Sequence, residues 1–191
     1  MTRKETIKRD LIRYGLYGVK GFLRGLVIPG FLYIYFLRNA QYSNTFLKPF
    51  FKLILKILSF VFGFQIPSDV KIGSGFYLGH HGHVIINPEV VIGNNCAIAP
   101  GVTLGIKPGK KNAGCPKIGN FVMIGTNAVL VGGITIGDRV IIAPNSFINH
   151  DVPSDSVVIG NPAKIVPKKI EMNDYFFHVI EKNRIMSMTE L

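Results

Sequence analysis

The sequence is poor in cysteine, in long uncharged apolar runs and in acidic residues. Two cysteines in 191 residues are too few for a disulfide framework, and no secretory leader is recognisable. No apolar run reaches the roughly 18 uncharged residues that a membrane-spanning helix needs. We therefore expect a cytoplasmic protein with reduced cysteines. Cys96 is expected in the core, whereas Cys115 is expected in an exposed interruption.

The scarce acidic residues leave a strong and uneven positive charge. Eleven Asp and Glu stand against 22 Lys and Arg, and residues 1–64 hold eleven basic and two acidic residues, a net of +9. The same segment is apolar over residues 26–37 and 49–62. Basic residues interleaved with aliphatic and aromatic ones favour helices that lie at the inner face of the plasma membrane. Packing on the rest of the protein is the alternative. No nucleic-acid-binding module is visible, so we expect no nucleic-acid partner.

A six-residue repeat runs from Ile66 to Ile165. Each unit begins with an aliphatic residue, continues with Gly, Ala or Asn, and has a small or β-branched residue at its fifth place, as in residues 92–96 and 124–128. This spacing fits neither a helix face nor simple strand alternation. It predicts a triangular prism in which three units form one coil of about 18 residues, with about five coils in all.

The first break in the repeat contains three histidines. Leu78 and Ile86 are eight residues apart instead of six, and His80, His81 and His83 lie between them. Histidine exchanges a proton near neutral pH, so this segment is a candidate site for a general base. Zinc is the alternative, but the histidines are bunched and lack a cysteine or carboxylate at ligand spacing. We expect no metal.

The second break is a lysine-rich insertion. Fourteen residues separate Leu104 from Ile118, so about eight residues leave the prism as a loop, which a solenoid tolerates because its coils still stack. The lysines of this stretch are Lys107, Lys110, Lys111 and Lys117. They suit an anionic partner such as a cofactor phosphate, or they are simply solvated.

Four motifs together resemble the serine acetyltransferase family and its polysaccharide-modifying relatives of the colanic-acid type. They are the histidine segment and residues 101–105, 115–119 and 160–166. The resemblance implies a mainly β fold, a left-handed parallel β-helix of hexapeptide repeats, with an N-terminal helical segment and a short C-terminal helix. The corresponding domains are residues 1–63, residues 64–166 with a protruding loop at 106–117, and a helical tail at 167–191.

The resemblance also implies a reaction. His80 is the general base, acetyl-CoA is the co-substrate, and coenzyme A lies along the outside of the prism between two subunits of a homotrimer. His81 and His83 are candidate acceptor-binding residues, or they simply face solvent. The implied donor-binding residues are Thr103, Leu104, Gly105, Gly125, Thr126, Ala143, Pro144, Pro162, Ala163 and Lys164.

Three positions depart from the pattern of the serine-specific enzymes. A carboxylate expected before the first coils is replaced by Gln65, and a second falls on Pro88, although Glu89 is adjacent. An Arg-His pair that holds the carboxylate of serine is replaced by Gly114 and Cys115. Because a carboxylate needs a paired cation, these departures favour a sugar hydroxyl of a glycan or lipid-linked sugar over L-serine. An inactive β-helix scaffold is the non-enzyme alternative.

Overall fold

The computed structural model describes residues 1–109 and 112–168. Four helices precede a series of short strands. The helices are α1 Arg3–Ile12, α2 Gly18–Gly25, α3 Pro29–Tyr42 and α4 Lys48–Phe62. The strands are β1 Phe64–Gln65, β2 Lys71–Ile72, β3 Tyr77–Leu78, β4 Val84–Ile86, β5 Val91–Ile92, β6 Ala97–Ile98, β7 Thr103–Gly105, β8 Lys117–Ile118, β9 Met123–Ile124, β10 Val129–Val131, β11 Thr135–Ile136, β12 Val140–Ile142, β13 Phe147–Ile148, β14 Ser156–Ile159 and β15 Lys164–Pro167.

The strands wind into three parallel sheets that form the sides of a prism. Sheet A has the order β1-β4-β7-β10-β13, sheet B has β2-β5-β8-β11, and sheet C has β3-β6-β9-β12-β14. The last strand, β15, pairs antiparallel with β14. Three successive strands form one coil, and most repeats bury their aliphatic residue inside, as Leu78, Ile98 and Ile124 are buried in sheet C. The predicted five-coil solenoid with N-terminal helices is therefore confirmed.

The corner between sheets B and C explains why the repeat favours asparagine. There the side-chain oxygen of Asn120 accepts the backbone N–H of Asn94 at 2.9 Å, and Asp138 accepts that of Asn120 at 2.6 Å. These bonds stack one coil on the next at a turn. Phe121 and Arg139 occupy the same corner with φ near 55°, a conformation that favours glycine or asparagine. The backbone N–H of Phe121 donates to Asn94, which helps to hold this turn.

Helices α1 and α3 cover the open edge of the first coil. The Tyr33 hydroxyl donates to the Ile66 carbonyl at 3.0 Å, and the Arg38 guanidinium donates to the Ile72 carbonyl at 2.7 Å. The Asp10 carboxylate accepts the Phe76 N–H at 2.9 Å. A solenoid needs such a terminal cap because its edge strands carry unpaired backbone groups. Side chains of the helices thus take the place of a preceding coil.

Two expectations concern the ends of the chain. No single helix within residues 1–109 and 112–168 is long and apolar enough to cross a bilayer, although α2 and α3 reach that length together across a bend of 101°. The expected C-terminal helix falls on residues 169–191, outside the described residues. Pro167, assigned to that tail from the sequence, belongs to β15.

Candidate active site

The histidine segment, residues 79–83, lies at the C/A corner, where the chain turns from sheet C into sheet A. The N–H of Gly82 donates to the Phe62 carbonyl at 3.0 Å, and the His83 carbonyl accepts the N–H of Gly101 at 2.6 Å. Gly82 has φ 143°, and a Cβ there would lie 3.1 Å from the Cβ of Pro100. The segment is therefore held by its backbone between helix α4 and the second coil.

All three histidine side chains of this segment are exposed. Within residues 1–109 and 112–168 no hydrogen bond to the ring of His80, His81 or His83 is found. A general base needs a fixed orientation, so the remaining contacts of His80 would have to come from substrate or from another subunit.

Two residues of the N-terminal cap, Tyr14 in the turn after α1 and Gly30 in α3, contact the strand that leads into the histidine segment. The Tyr14 hydroxyl donates to the Leu78 carbonyl at 2.9 Å and accepts the N–H of the same residue at 3.2 Å. Gly30 packs directly against Leu78 and Tyr14. A Cβ at Gly30 would collide with the Leu78 carbonyl oxygen and would lie 2.8 Å from the Tyr14 hydroxyl. Sequence reasoning missed both residues, because neither belongs to the repeat and Tyr14 lies 64 positions from its partner.

The C/A corner continues as a stacked column of turns on every coil. The N–H of Asn127 donates to the Pro100 carbonyl at 3.0 Å, that of Asn145 to the Thr126 carbonyl at 2.9 Å, and that of Phe147 to the Gly160 carbonyl at 3.0 Å. Parallel strands are spaced about 4.8 Å apart, so the four steps from the first to the last turn span roughly 19 Å. We call this surface the corner column.

Six of the donor residues implied by the resemblance lie along the corner column above the histidine segment. They are Gly125, Thr126, Ala143, Pro144, Pro162 and Ala163. Lys164 follows at the far end, where it begins β15 with an exposed side chain. The fold thus places residues that are 80 or more positions apart in the sequence along one surface. The histidines lie at one end of this surface and Lys164 lies at the other.

The remaining implied donor residues form β7 on the adjacent face. Thr103 and Gly105 are half-buried and reach the surface of sheet A. Leu104 is fully buried and points into the prism, because residues alternate sides along a strand. Its side chain therefore cannot contact a ligand on the outside, and only its backbone remains for that role.

Glu89 and Cys115 meet at a different corner, the A/B corner, where the chain turns from sheet A into sheet B. The Cys115 thiol lies 4.0 Å from the Glu89 carboxylate. Cys115 is only 8% exposed, which corrects the expectation of an exposed thiol. Burial raises the pKa of Cys115, and the charge of Glu89 raises it further. The position that would carry a cation in the serine enzymes therefore holds a neutral thiol beside an anion. Sheet A separates this pair from His80 within one chain.

The lysine-rich loop leaves the prism at the A/B corner as a short hairpin. Lys107 and Gly114 exchange two backbone hydrogen bonds of 3.0 Å, and the N–H of Gly133 on the next coil donates to Asn112 at 3.0 Å. Lys117 lies in β8 and not in the loop. Lys110 and Lys111 lie outside the described residues.

Gln65 borders an open groove between α4 and the first two coils. The groove has a volume of about 500 Å³ and is lined in part by Tyr33, Lys52, Lys56, Ser59, Gln65 and Ile85. Gln65 is exposed and pairs with Ile85 of β4. Two residues earlier, Gly63 packs against Gly82, since a Cβ on Gly63 would lie 3.1 Å from the Gly82 carbonyl carbon. The histidine segment therefore packs against the chain two residues before Gln65.

The chemistry available here is that of proton transfer. No group of three His, Cys, Asp or Glu side chains that could hold a metal ion occurs in residues 1–109 and 112–168. An exposed imidazole could act as the base. The groove on one side could hold an acceptor, and the narrow corner column on the other could hold an elongated donor.

Comparisons with known proteins give a consistent result. The family model "Bacterial transferase hexapeptide (six repeats)" matches residues 115–150. Serine acetyltransferase 2 of Arabidopsis thaliana is 41% identical over 109 residues, which are 57% of this chain and 34% of that protein. The chain thus spans about a third of this plant relative. The "Putative colanic acid biosynthesis acetyltransferase WcaB" of Escherichia coli K12 is 36% identical over 124 residues, which are 64% of this chain and 75% of that protein. The crystal structure of Neisseria gonorrhoeae serine acetyltransferase superposes with a TM-score of 0.74 at 30% identity, covering 90% of this chain and 69% of that one.

Proposed function

Because this chain belongs to the hexapeptide-repeat acetyltransferase family, we propose that it transfers the acetyl group of acetyl-CoA to a sugar hydroxyl during assembly of a surface polysaccharide. The observation that carries the choice of acceptor is the neutral thiol of Cys115 beside the carboxylate of Glu89. The reaction would take place at the cytoplasmic face of the membrane, where lipid-linked sugars are built.

His80 acts as the general base. Its imidazole takes the proton of the acceptor hydroxyl while the hydroxyl oxygen attacks the thioester carbonyl carbon. The carbon–sulfur bond then breaks, the imidazolium returns the proton to the leaving sulfur, and the products are an acetyl ester and coenzyme A. No acetyl-enzyme is needed, so both substrates are bound together and the rate comes from positioning and base catalysis.

Coenzyme A lies along the corner column. The small residues Gly125 and Ala143 let an elongated chain approach the backbone closely, and the column of roughly 19 Å suits an extended pantetheine arm. Lys164, exposed at the far end, binds a phosphate by a charge-assisted hydrogen bond. A neighbouring subunit of a homotrimer closes the other side of this track and supplies the contacts that orient His80.

The acceptor side supports a neutral hydroxyl rather than an amino acid. Where the resemblance to the serine enzymes implies an Arg-His pair for the serine carboxylate, this chain has Gly114 and the neutral thiol of Cys115 beside Glu89. Desolvating a carboxylate without its paired cation is costly. Gln65 replaces the other charged partner with an amide that can donate and accept hydrogen bonds, as sugar hydroxyls require. The groove of about 500 Å³ beside it is far larger than serine needs. The name of WcaB, which refers to colanic acid, agrees with a glycan acceptor.

Serine O-acetylation remains the second candidate. The identity of 41% to a plant serine acetyltransferase favours it. This reaction would use the same base and the same donor, but the protein would have to bind the amino acid without the Arg-His pair.

Product analysis tests the proposed function. The full chain is incubated with acetyl-CoA and with oligosaccharides representative of surface polysaccharides, and products are analysed by mass spectrometry before and after mild base. We expect a saccharide that gains an acetyl group and loses it in mild base, as an ester does. An acetyl group that resists mild base would indicate N-acetylation and contradict the proposal.

A further inference from the structure

Helix α4 presents three different strips along its length. Successive helical residues turn by about 100°, so residues three, four and seven apart share a face. The inner strip, which faces α3 and the solenoid, comprises Phe51, Ile54, Leu55, Leu58 and Phe62. The basic strip, along the edge of the groove, comprises Lys48, Lys52, Lys56 and Ser59. The outer strip comprises Phe50, Leu53, Ile57, Phe60 and Val61.

The outer strip is apolar and faces water. Each of its five side chains is more than half exposed, and Phe60 is 96% exposed. Phe46, in the turn before the helix, is 88% exposed and extends the strip by one helical repeat. A contiguous patch of large apolar side chains marks an interaction surface, because a soluble surface normally scatters them singly.

Helix α2 shows the same arrangement on a smaller scale. Val19, Leu23 and Val27 recur every four residues and are exposed. Lys20 and Arg24 are exposed beside them. Two separate helices of the capping region therefore combine an exposed apolar strip with a row of basic side chains.

We propose that the outer strip of α4 docks on an anionic lipid bilayer. The apolar side chains enter the interface, and the lysines of the basic strip meet the headgroups. Charge supports this partner, because α4 contains three lysines and no acidic residue, and the basic strip runs directly beside the apolar one. Asp69 lies 3.4 Å from both Lys48 and Lys52, and one carboxylate against three lysines leaves the strip positive. A symmetric contact with a second copy would instead bring two basic strips together, which is unfavourable.

Docking in this orientation brings the groove to the membrane surface. Lys52 and Lys56 line both the groove and the edge of the outer strip. An acceptor sugar carried by a lipid would then reach Gln65 from the headgroup layer. This consequence rests on the proposed function, whereas docking itself does not depend on the identity of the acceptor.

Vesicle co-sedimentation of the full chain tests the proposal. Vesicles of phosphatidylcholine alone are compared with vesicles containing phosphatidylglycerol, at low and high salt. We expect binding that increases with the anionic lipid and weakens with salt. The combined variant Leu53→Ser, Ile57→Ser and Phe60→Ser should lose at least tenfold in affinity. The matched control, Ile159→Ser with Val166→Ser, replaces half-exposed apolar residues of the solenoid and should bind as the native chain does.

Three results would overturn the docking proposal: no binding of the native chain to anionic vesicles, equal binding by the outer-strip variant, or dissociation of the native oligomer by that variant. The last result, measured by light scattering, would make the outer strip a subunit interface. Acetyl transfer to a soluble acceptor, assayed without vesicles, separates this proposal from the proposed function. We expect the outer-strip variant to retain that activity.

Discussion

Arg38 and Asp10 form an ion pair of 2.8 Å in which both side chains are almost completely buried, at 1% and 0% exposure. Asp10 belongs to α1 and Arg38 to α3, and each also hydrogen-bonds the backbone of the first coil. The pair therefore joins two helices to the solenoid at a single point.

Breaking this pair should strongly destabilise the protein. In Arg38→Met the Asp10 carboxylate stays buried without its cation, and two backbone carbonyls of the first coil lose their donor. We expect a loss of about 3–5 kcal/mol in the free energy of unfolding, measured by urea denaturation. The control is Arg139→Ala, which removes a half-exposed pair with Asp155 and should cost about 0–1 kcal/mol. Equal losses in the two variants would contradict the capping role of Arg38.

The loss in Arg38→Met should depend on pH. Burial raises the pKa of Asp10 above its ordinary value of 3.8, and Arg38 opposes this shift. Without Arg38 the folded-state pKa rises further above the unfolded one, so the folded protein binds a proton that the unfolded protein releases. Stability then falls as pH rises from about 4 through the raised folded pKa. Urea denaturation at both pH values measures this effect. We expect the loss in unfolding free energy of Arg38→Met, relative to the native protein, to be smaller at pH 5 than at pH 8.

Tyr14→Phe should weaken both stability and activity. The substitution leaves the buried N–H and carbonyl of Leu78 without their partner and frees the strand next to His80. We expect a loss of about 1–3 kcal/mol in unfolding free energy and a lower kcat. Tyr17→Phe, at an exposed position, is the control and should change neither quantity. A variant as stable as native protein would show that the two hydrogen bonds contribute little.

His80→Ala should lower kcat by about 10² to 10⁴, because the acceptor hydroxyl loses its base. Circular dichroism should be unchanged, since the side chain is exposed. His81→Ala and His83→Ala are matched controls from the same segment, and we expect a change in the KM for the acceptor at most. Initial rates of coenzyme A release measure all three. A larger loss in His83→Ala than in His80→Ala would move the base to His83.

Lys164→Ala should raise the KM for acetyl-CoA by about tenfold and leave kcat nearly unchanged, because a charge-assisted hydrogen bond to phosphate is lost from binding alone. Lys71→Ala, an exposed lysine on sheet B, is the control. An unchanged KM for acetyl-CoA in Lys164→Ala would place the phosphates elsewhere.

The thiols should be unreactive in the folded protein. Burial raises the pKa of Cys96 to about 12, and Cys115 is also buried with a raised pKa. Labelling with a thiol reagent at pH 8 should be slow in buffer and should reach both cysteines in urea. Rapid labelling of Cys115 in buffer would show that the A/B corner opens in solution.

The repeat made the solenoid predictable, because each unit fixes its own local turn and buries its own aliphatic residue. The resemblance implied that residues as distant as His80 and Lys164 serve one reaction, and the stacked coils place them along the corner column. The side chain of Leu104 points into the prism, which the carried-over motif could not reveal, because such a motif does not say which residues of a strand point inward. A backbone contact of Leu104 with the donor stays a prediction.

The contacts of the helical cap could not be predicted. Tyr14, Gly30 and Arg38 reach the first coil across long stretches of sequence and follow no repeat, so no local pattern marks them. Cys115 was expected to be exposed because it lies in an insertion, but it is buried at the A/B corner, 4.0 Å from the Glu89 carboxylate. The exposure of the outer strip likewise depends on which face of α4 the solenoid covers.

The choice of acceptor is tested most directly by the rate of coenzyme A release from acetyl-CoA with L-serine, compared with the rate with a saccharide acceptor. The neutral Cys115 beside Glu89 predicts a serine rate at the background of acetyl-CoA hydrolysis and a saccharide rate well above it. Rapid, saturable release with L-serine would contradict the account and make the protein a serine acetyltransferase.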